Sequence, residues 1–193
     1  MLNESSIEIR PVDMTNWADF EAFFESKGKL NNCWCMVWRM TKEELKTNTS
    51  VCRKAFIKER VWSGVPIGLL AYADGCPIAW CSIAPRETHQ RLGGDDDIEN
   101  VWSITCFYIV REFRGKGLVH LLIDYARTYA KNNGAKYLEA YPVDPESPSY
   151  RFMGFVSTFE KEGFRYIKDA GTRRHVMICR CDPEDFGLED RGN

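Results

Sequence analysis

One strand–turn–helix segment constrains the fold of this 193-residue chain more than any other part of the sequence. Residues 101–110 are rich in Val, Ile, Thr and aromatic side chains, which predicts a strand. Residues 117–132 show helical periodicity, and Asn133-Gly134 follows as a helix stop. The residues predicted to line the buried face of this helix are Leu118, Leu121, Leu122, Tyr125 and Tyr129. The turn Arg114-Gly115-Lys116-Gly117 joins the two elements.

This turn has the features of an anion-binding site. A helix begins with unpaired backbone N–H groups, and its dipole adds positive charge there. Gly115 and Gly117 let a ligand approach the main chain, and Arg114 and Lys116 add charge, which together predict a phosphate or pyrophosphate site. The Walker spacing is absent, and His120 stands where a dinucleotide fingerprint needs its third glycine. A plain turn into the helix remains the alternative.

The rest of the chain predicts one α/β domain over residues 1–181. Its element order is β-α-α-β-β-β-α-β-α-β-β, which implies a mixed sheet covered by helices on both faces. Asp74-Gly75 predicts a tight hairpin, because both turn positions need positive φ. The predicted strands lie near 6–11, 67–72, 77–83, 101–110, 137–141, 164–168 and 174–181, and the longer helices near 16–28, 50–63, 117–132 and 150–162. Residues 182–193 are acidic and aperiodic, which predicts a loose tail.

The central turn resembles the core motif of the GNAT superfamily of N-acetyltransferases, [Q/R]-x-x-G-x-[G/A]. Glu112 to Gly117 stand in its place, and residues 118–122 continue as a helix. Gly154 to Phe164 resembles the family's late helix, which closes with a Gly-Phe pair. The resemblance spans about residues 5–181 and implies a GNAT-like fold. It also implies an enzyme that transfers acetyl from acetyl-CoA to a primary amine of an unidentified acceptor by direct attack.

The resemblance also implies where acetyl-CoA would bind as the acyl-donor co-substrate. It would lie in the gap between the strands at 101–110 and 136–141, with its pantetheine arm pairing along the first strand. The pyrophosphate would be held by the amides of the turn and the helix start. The implied cofactor-binding residues are Phe107, Ile109, Arg114, Gly115, Lys116, Gly117, Leu118, Val119 and His120.

The sequence departs from the family pattern at residues that bear on the mechanism. Glu112 replaces the motif's opening Gln or Arg, so its side chain is expected to point away from a pyrophosphate. Phe159 stands where many members have a Tyr that protonates the leaving thiolate. Ser103 occupies a position that some members use for a base. These departures support an alternative, a non-catalytic acyl-CoA-binding or regulatory domain.

Glu139 and Tyr141 are the candidates for the missing catalytic groups. They lie on one face of the strand next to 101–110, by the period of two. A carboxylate can take the proton of an ammonium, which cannot attack a thioester while protonated, so Glu139 is the candidate base and Tyr141 the candidate acid. The alternative is that Glu139 is a structural carboxylate and Tyr141 a core residue.

Four residues are predicted to border the acceptor. Trp34, Trp38 and Arg39 fall between the first two helices, and Arg86 follows the third strand; in the resembled fold both regions border the acceptor site. Aromatic walls and an arginine could shape a pocket for a small molecule or peptide amine. Core packing explains the two tryptophans equally well. His89, nearby, is predicted to be a surface histidine rather than a base.

Two clusters of polar residues have alternative interpretations. Asp95-Asp96-Asp97 is typical of solvated surface, but would favour a cationic amine if it faced the acceptor. Cys33-x-Cys35 and Cys179-x-Cys181 could form a four-thiolate zinc site. Structural zinc sites mostly use wider spacing, so we expect packed cysteines and no metal.

The bulk properties exclude several other classes. The formal net charge of −2 gives no general attraction to nucleic acid. No apolar run approaches the roughly 20 residues that span a membrane. Met1 to Arg10 lack the pattern of a signal peptide, so we expect the eight cysteines to be reduced in the cytoplasm. Members of the resembled family often form dimers, which makes a homodimer a further expectation.

Overall fold

The computed structural model describes residues 7–26 and 33–182. Within these residues the elements follow the predicted order, and the mixed α/β fold class is confirmed. They are β1 (Ile7–Pro11), α1 (Trp17–Glu25), α2 (Ser50–Trp62), β2 (Leu69–Ala73), β3 (Cys76–Pro85), β4 (Val101–Ile109), α3 (Leu118–Asn132), β5 (Tyr137–Ala140), α4 (Val156–Lys161), β6 (Arg165–Ala170) and β7 (Arg174–Arg180). The predicted end of the first helix at Gly28, and the predicted tail from residue 183 onward, lie outside the described residues.

The strands form one mixed sheet in the order β1-β2-β3-β4-β5-β7-β6. Neighbouring strands are antiparallel except β4 and β5, which run parallel. The predicted hairpin joins β2 to β3, where Asp74 and Gly75 have φ values of 49° and 74°. None of the helices in the described part of the chain is long and apolar enough to cross a membrane.

Two predictions about the helices are wrong in detail. The helix expected near 150–162 is only Val156–Lys161, because Gly154, with φ of 90°, separates it from a short 3-10 helix at Arg151–Met153. Tyr125, expected on the buried face of α3, is 44% exposed. The small side chains of Ala126 and Ala130 face the core instead, which lets the helix approach the sheet closely.

Candidate active site

The glycine turn leads directly into α3. A short 3-10 helix at Arg111–Phe113 follows β4, and Gly117 is the residue that caps the start of α3. Gly115 and Gly117 have φ values of 70° and 84°, in the left-handed region that favours glycine. A Cβ atom built on either glycine would meet no other atom within 4 Å. The turn is therefore open on its outer side.

The backbone amides of this turn are available to a ligand. Those of His120 and Leu121 donate to the carbonyl of Gly117 at 3.0 and 3.3 Å. The amides of residues 115–119 make no hydrogen bond to the residues that the structure describes. Such a run of free N–H groups at the start of a helix can hold an anion. The Glu112 side chain is exposed.

Two of the basic and polar side chains at the turn already have partners. Arg114 donates through Nε to the carbonyl of Ile109 at 2.8 Å, and its guanidinium lies 5.8 Å from the Tyr108 ring centre. His120 Nδ1 lies 2.5 Å from Glu162 Oε1. A ligand that uses these two side chains would have to compete with those contacts.

β4 and β5 separate where the sequence predicts a gap. They pair only from Val101–Tyr137 to Ile104–Ala140, and β4 then continues to Ile109. A register shift against β3 leaves Thr105 as an extra residue on β4, which is a β-bulge at the point of divergence. In the described sheet, residues 106–109 pair with β3 alone. Phe107 and Ile109 thus lie on the free edge of β4.

The ring of Phe159 borders this gap. Phe159 is fully buried in α4, with its ring centre 6.1 Å from that of Phe107 and 5.0 Å from that of Phe164. A Cβ on Gly154 would come within 2.8 Å of Phe159, so the neighbouring glycine leaves room for the ring. This position offers an apolar surface and no proton donor.

Glu139 is the centre of a buried hydrogen-bond cluster. Its carboxylate is fully buried and accepts hydrogen bonds from Ser103 Oγ and Tyr141 Oη, both at 2.5 Å to Oε1. Arg86 binds both oxygens, with Nε 3.0 Å from Oε1 and Nη2 2.5 Å from Oε2. Both candidate catalytic residues are therefore brought together with Arg86 and Ser103.

The electrostatics of this cluster follow from burial and charge. Burial, and then the charge of Glu139, raises the pKa of the Tyr141 hydroxyl. Burial opposes ionisation of Arg86, but its hydrogen bonds and ion pair with Glu139 raise its pKa. Tyr141 and Arg86 therefore both hold their protons firmly beside the carboxylate.

A loop covers the carboxylate and borders a cleft of about 600 Å³. Arg86 Nη1 fixes the loop by donating to the carbonyls of Asp95 (2.5 Å) and Ile98 (2.8 Å). A Cβ on Gly94 would lie 2.8 Å from Glu139 Oε2, so only glycine permits this close approach. Asp96 lines the cleft, whereas the Asp95 carboxylate accepts from the amide of Asp97 at 3.2 Å.

The predicted acceptor residues lie at different depths. Trp34 is 2% exposed and stacks on Phe24 with ring centres 5.5 Å apart. Arg39 is 1% exposed and donates through Nη2 to the Ile67 carbonyl (2.8 Å) and Ser82 Oγ (3.0 Å). Burial lowers its pKa to about 10. Of this group, only Trp38 and Arg86 are partly exposed.

The prediction that His89 is a surface histidine is wrong. It is 8% exposed, and neither ring nitrogen has a partner among the described residues. Burial and then the charge of Arg39 lower its pKa well below the usual value, so the ring is neutral. Its polar neighbours in the sequence do not indicate this burial, which depends on tertiary contacts of the loop such as the hydrogen bond from the Gln90 amide to the Trp38 carbonyl.

Sequence reasoning missed two residues beside Trp38. The guanidinium of Arg174 lies 4.3 Å from the Trp38 ring centre and 5.6 Å from that of Tyr150. Tyr150 has φ of 60°, an uncommon conformation for a bulky residue. No motif marks either residue, although Tyr150 immediately precedes the late-helix region that carries the family resemblance.

The two predicted cysteine pairs lie in different surroundings. Cys33 and Cys35 interact with each other, and Cys35 also with Cys106 of β4. Cys179 and Cys181 lie at the end of β7 near Arg127. All eight cysteines are in the described residues and none is in a disulfide. The same residues contain no group of three or more His, Cys, Asp or Glu side chains that could hold a metal.

Comparison with sequence families gives one match. A family model described as "Acetyltransferase (GNAT) family" matches residues 32–155. No curated protein sequence matches the chain significantly.

Comparison with solved structures gives many matches of the same fold. The PaiA N-acetyltransferase of Thermoplasma acidophilum, solved with coenzyme A, is 19% identical, with a TM-score of 0.56 over 91% of this chain and 99% of that one. YncA of Salmonella typhimurium, solved with acetyl-CoA, is 16% identical, with a TM-score of 0.56 over 92% and 95%. An uncharacterised protein of Bacillus halodurans is 15% identical, with a TM-score of 0.61 over 90% and 83%.

Proposed function

Because the chain belongs to the GNAT family of acetyltransferases, we propose that it transfers an acetyl group from acetyl-CoA to a primary amine. The observation that carries this proposal is the open turn at Gly115 and Gly117, whose free amides precede α3. The coenzyme A and acetyl-CoA in two similar structures support acetyl-CoA as the co-substrate.

The donor would be held along one continuous surface. The amides of residues 115–119, with Lys116, would bind the pyrophosphate. The free edge of β4 from Ile109 to Phe107 would pair with the pantetheine arm. Since the Ile109 carbonyl accepts a hydrogen bond from Arg114, we infer that Arg114 turns toward the pyrophosphate when the donor binds. A main-chain N–H near Phe107 would stabilise negative charge on the thioester oxygen.

Acetyl transfer forms a bond between the amine nitrogen and the acetyl carbon and breaks the bond from that carbon to sulfur. The amine must lose a proton, and we propose Glu139 as its acceptor. The Glu139 carboxylate is fully buried, its Oε1 already accepts from Arg86, Ser103 and Tyr141, and the loop at Gly94 lies against Oε2, so this loop must move for an amine to reach it. Tyr141 remains the candidate acid, although its raised pKa makes it a weaker proton donor than an ordinary tyrosine.

The acceptor would enter beside the cleft and Trp38. We propose that Trp38 and Arg86 contact it, whereas the buried Trp34 and Arg39 contribute to the packing and hydrogen bonding of the adjoining core. We also propose the cytoplasmic location that the sequence predicts.

One observation favours a second candidate, a non-catalytic acyl-CoA-binding domain. The buried Phe159 supplies no proton for a leaving thiolate. A binding domain of this kind would bind acetyl-CoA without transferring its acetyl group to any amine.

Thermal shift with acetyl-CoA, CoA and ATP in parallel tests the donor. A ligand at 100 times its Kd adds about 2.7 kcal/mol, which for a domain of this size raises Tm by roughly 5–10 °C. A rise with both CoA species but not ATP would support the donor site, and an amine screen that detects free CoA would then separate enzyme from binding domain. No rise with either CoA species would contradict the proposal.

A further inference from the structure

Arg174 is held among aromatic rings at the edge of the candidate acceptor site. It is the first residue of β7, and its guanidinium carbon lies 4.3 Å from the Trp38 ring centre, 5.6 Å from that of Tyr150 and 5.7 Å from that of Tyr141. Such contacts fix the position of a guanidinium without neutralising its charge.

This guanidinium has no acidic partner in the described part of the chain. Its one hydrogen bond runs from Nη1 to the carbonyl of Leu92, at 3.0 Å. Arg86, the other partly exposed arginine predicted at the site, differs because it pairs with Glu139. Burial also lowers the pKa of Arg174. A half-buried cation without a counter-ion is costly, and an anionic ligand would offset that cost.

Two further donors of Arg174 are not sealed from solvent. Neither Nε nor Nη2 makes a hydrogen bond to the described residues. Other side-chain nitrogens in this part of the chain lack a partner because they are fully buried, but these two are not fully buried. Leu92, which accepts from Nη1, lines the cleft together with Tyr141. Tyr141 in turn donates to Glu139, so Arg174 and the candidate base are linked through one tyrosine.

We propose that Arg174 binds a carboxylate of the acceptor, so that the acceptor is an amino acid or a similar amine that carries a carboxylate. The proposal rests on the proposed function and narrows its substrate class. A planar guanidinium with two free donors matches a carboxylate in geometry, and one positive charge balances one negative charge. Trp38 and Tyr150 then present apolar surface to the rest of the acceptor.

Matched pairs of acceptors test this inference. We would measure release of free CoA with L-phenylalanine, L-leucine, L-methionine and L-lysine, each beside the amine left by its decarboxylation. At least one amino acid should have a kcat/KM roughly 10- to 100-fold above that of its partner, as expected for a charge-assisted hydrogen bond. In Arg174→Gln this ratio should fall to about 1. Arg173→Gln is the control, because Arg173 is exposed and bonds Ser149 at 2.8 Å, and it should keep the ratio.

A binding measurement separates failure of this inference from failure of the proposed function. The ligands are N-acetyl-L-phenylalanine and N-acetyl-2-phenylethylamine, the products of acetylating L-phenylalanine and the amine left by its decarboxylation. Each is titrated into the protein in a calorimeter, with and without CoA, and this measurement requires no turnover. Tighter binding of the carboxylate compound, lost in Arg174→Gln but kept in Arg173→Gln, supports the inference even if no amine is acetylated. Equal binding, a preference that survives in Arg174→Gln, or no binding of the carboxylate compound to the unmodified protein overturns it.

Discussion

The hydroxyl of Tyr141 donates a 2.5 Å hydrogen bond to Oε1 of Glu139, and both side chains are completely buried. The residues are two apart at the end of β5, so they share the face that the sequence predicts for them. Ser103 and Arg86 complete the set of donors around the carboxylate. The same contacts are expected whether Glu139 is a catalytic base or a structural carboxylate, and mutation distinguishes these roles.

Replacing Glu139 by Gln should lower kcat by about 100-fold, because the amide cannot take the amine's proton. It should also lower the free energy of unfolding by up to about 3 kcal/mol, since Arg86 loses its charged partner. Steady-state rates at saturating acetyl-CoA and urea denaturation measure the two effects. Ser103→Ala, which removes one donor but keeps the charge, should lose far less turnover. Near-normal turnover in Glu139→Gln would show that Glu139 is not the base.

Replacing Gly115 by Val should abolish acetyl-CoA binding while the fold survives. A β-branched residue at φ of 70° is strained by about 1–2 kcal/mol, and its side chain would fill the open side of the turn. Gly64→Val is the matched control, because Gly64 has φ of 72° and also has nothing within 4 Å of a built Cβ. Calorimetric titration with acetyl-CoA should show loss of binding in the first variant only. Equal affinities in both would refute the assignment of the turn.

The parts of the fold that could be predicted are those that local chemistry dictates. Asp74-Gly75 requires a hairpin because both residues must take positive φ, and Gly115 and Gly117 mark a turn for the same reason. The burial of Tyr125 was predicted wrongly because helical period alone cannot tell how closely α3 approaches the sheet. That approach depends on the alanines at 126 and 130.

The parts that could not be predicted depend on distant contacts. Arg86 and Glu139 are 53 residues apart in sequence, and their ion pair exists only because the loop after β3 folds over β5. Arg174 meets Trp38 through the packing of the β6–β7 hairpin against a loop near the other end of the chain. No periodicity or motif records such contacts, so the shared face of Glu139 and Tyr141 was predictable, while the pairing of Arg86 with the carboxylate was not.

His175 should make stability depend on pH. Its Nε2 lies 3.1 Å from Asp144 Oδ2, and its Nδ1 lies 3.0 Å from Asp169 Oδ1. Burial opposes the positive charge of the ring, but the hydrogen bonds to the two carboxylates outweigh it, so the pKa of His175 is raised. The stabilisation is therefore complete below the unfolded pKa of about 6.5 and is lost as pH rises through the higher folded-state pKa. Because the carboxylates are exposed, we expect less than about 1 kcal/mol. The difference in Tm between the unmodified protein and His175→Gln should shrink from pH 5.5 to pH 8.5, whereas a constant difference would exclude this linkage.

Replacing Phe159 by Tyr should test whether thiolate protonation limits the reaction. The ring lies beside Phe107 at the free edge of β4, so a hydroxyl there would reach toward the proposed position of the leaving sulfur. If protonation is limiting, kcat should rise about 10-fold, while a buried hydroxyl without a partner costs about 1–3 kcal/mol of stability. Phe164→Tyr is the control, since Phe164 is also buried and touches Phe159 but not Phe107. A gain in Phe159→Tyr alone would assign the position to the leaving group, whereas an unchanged kcat in a stably folded variant would mean that the thiolate departs without help from this helix.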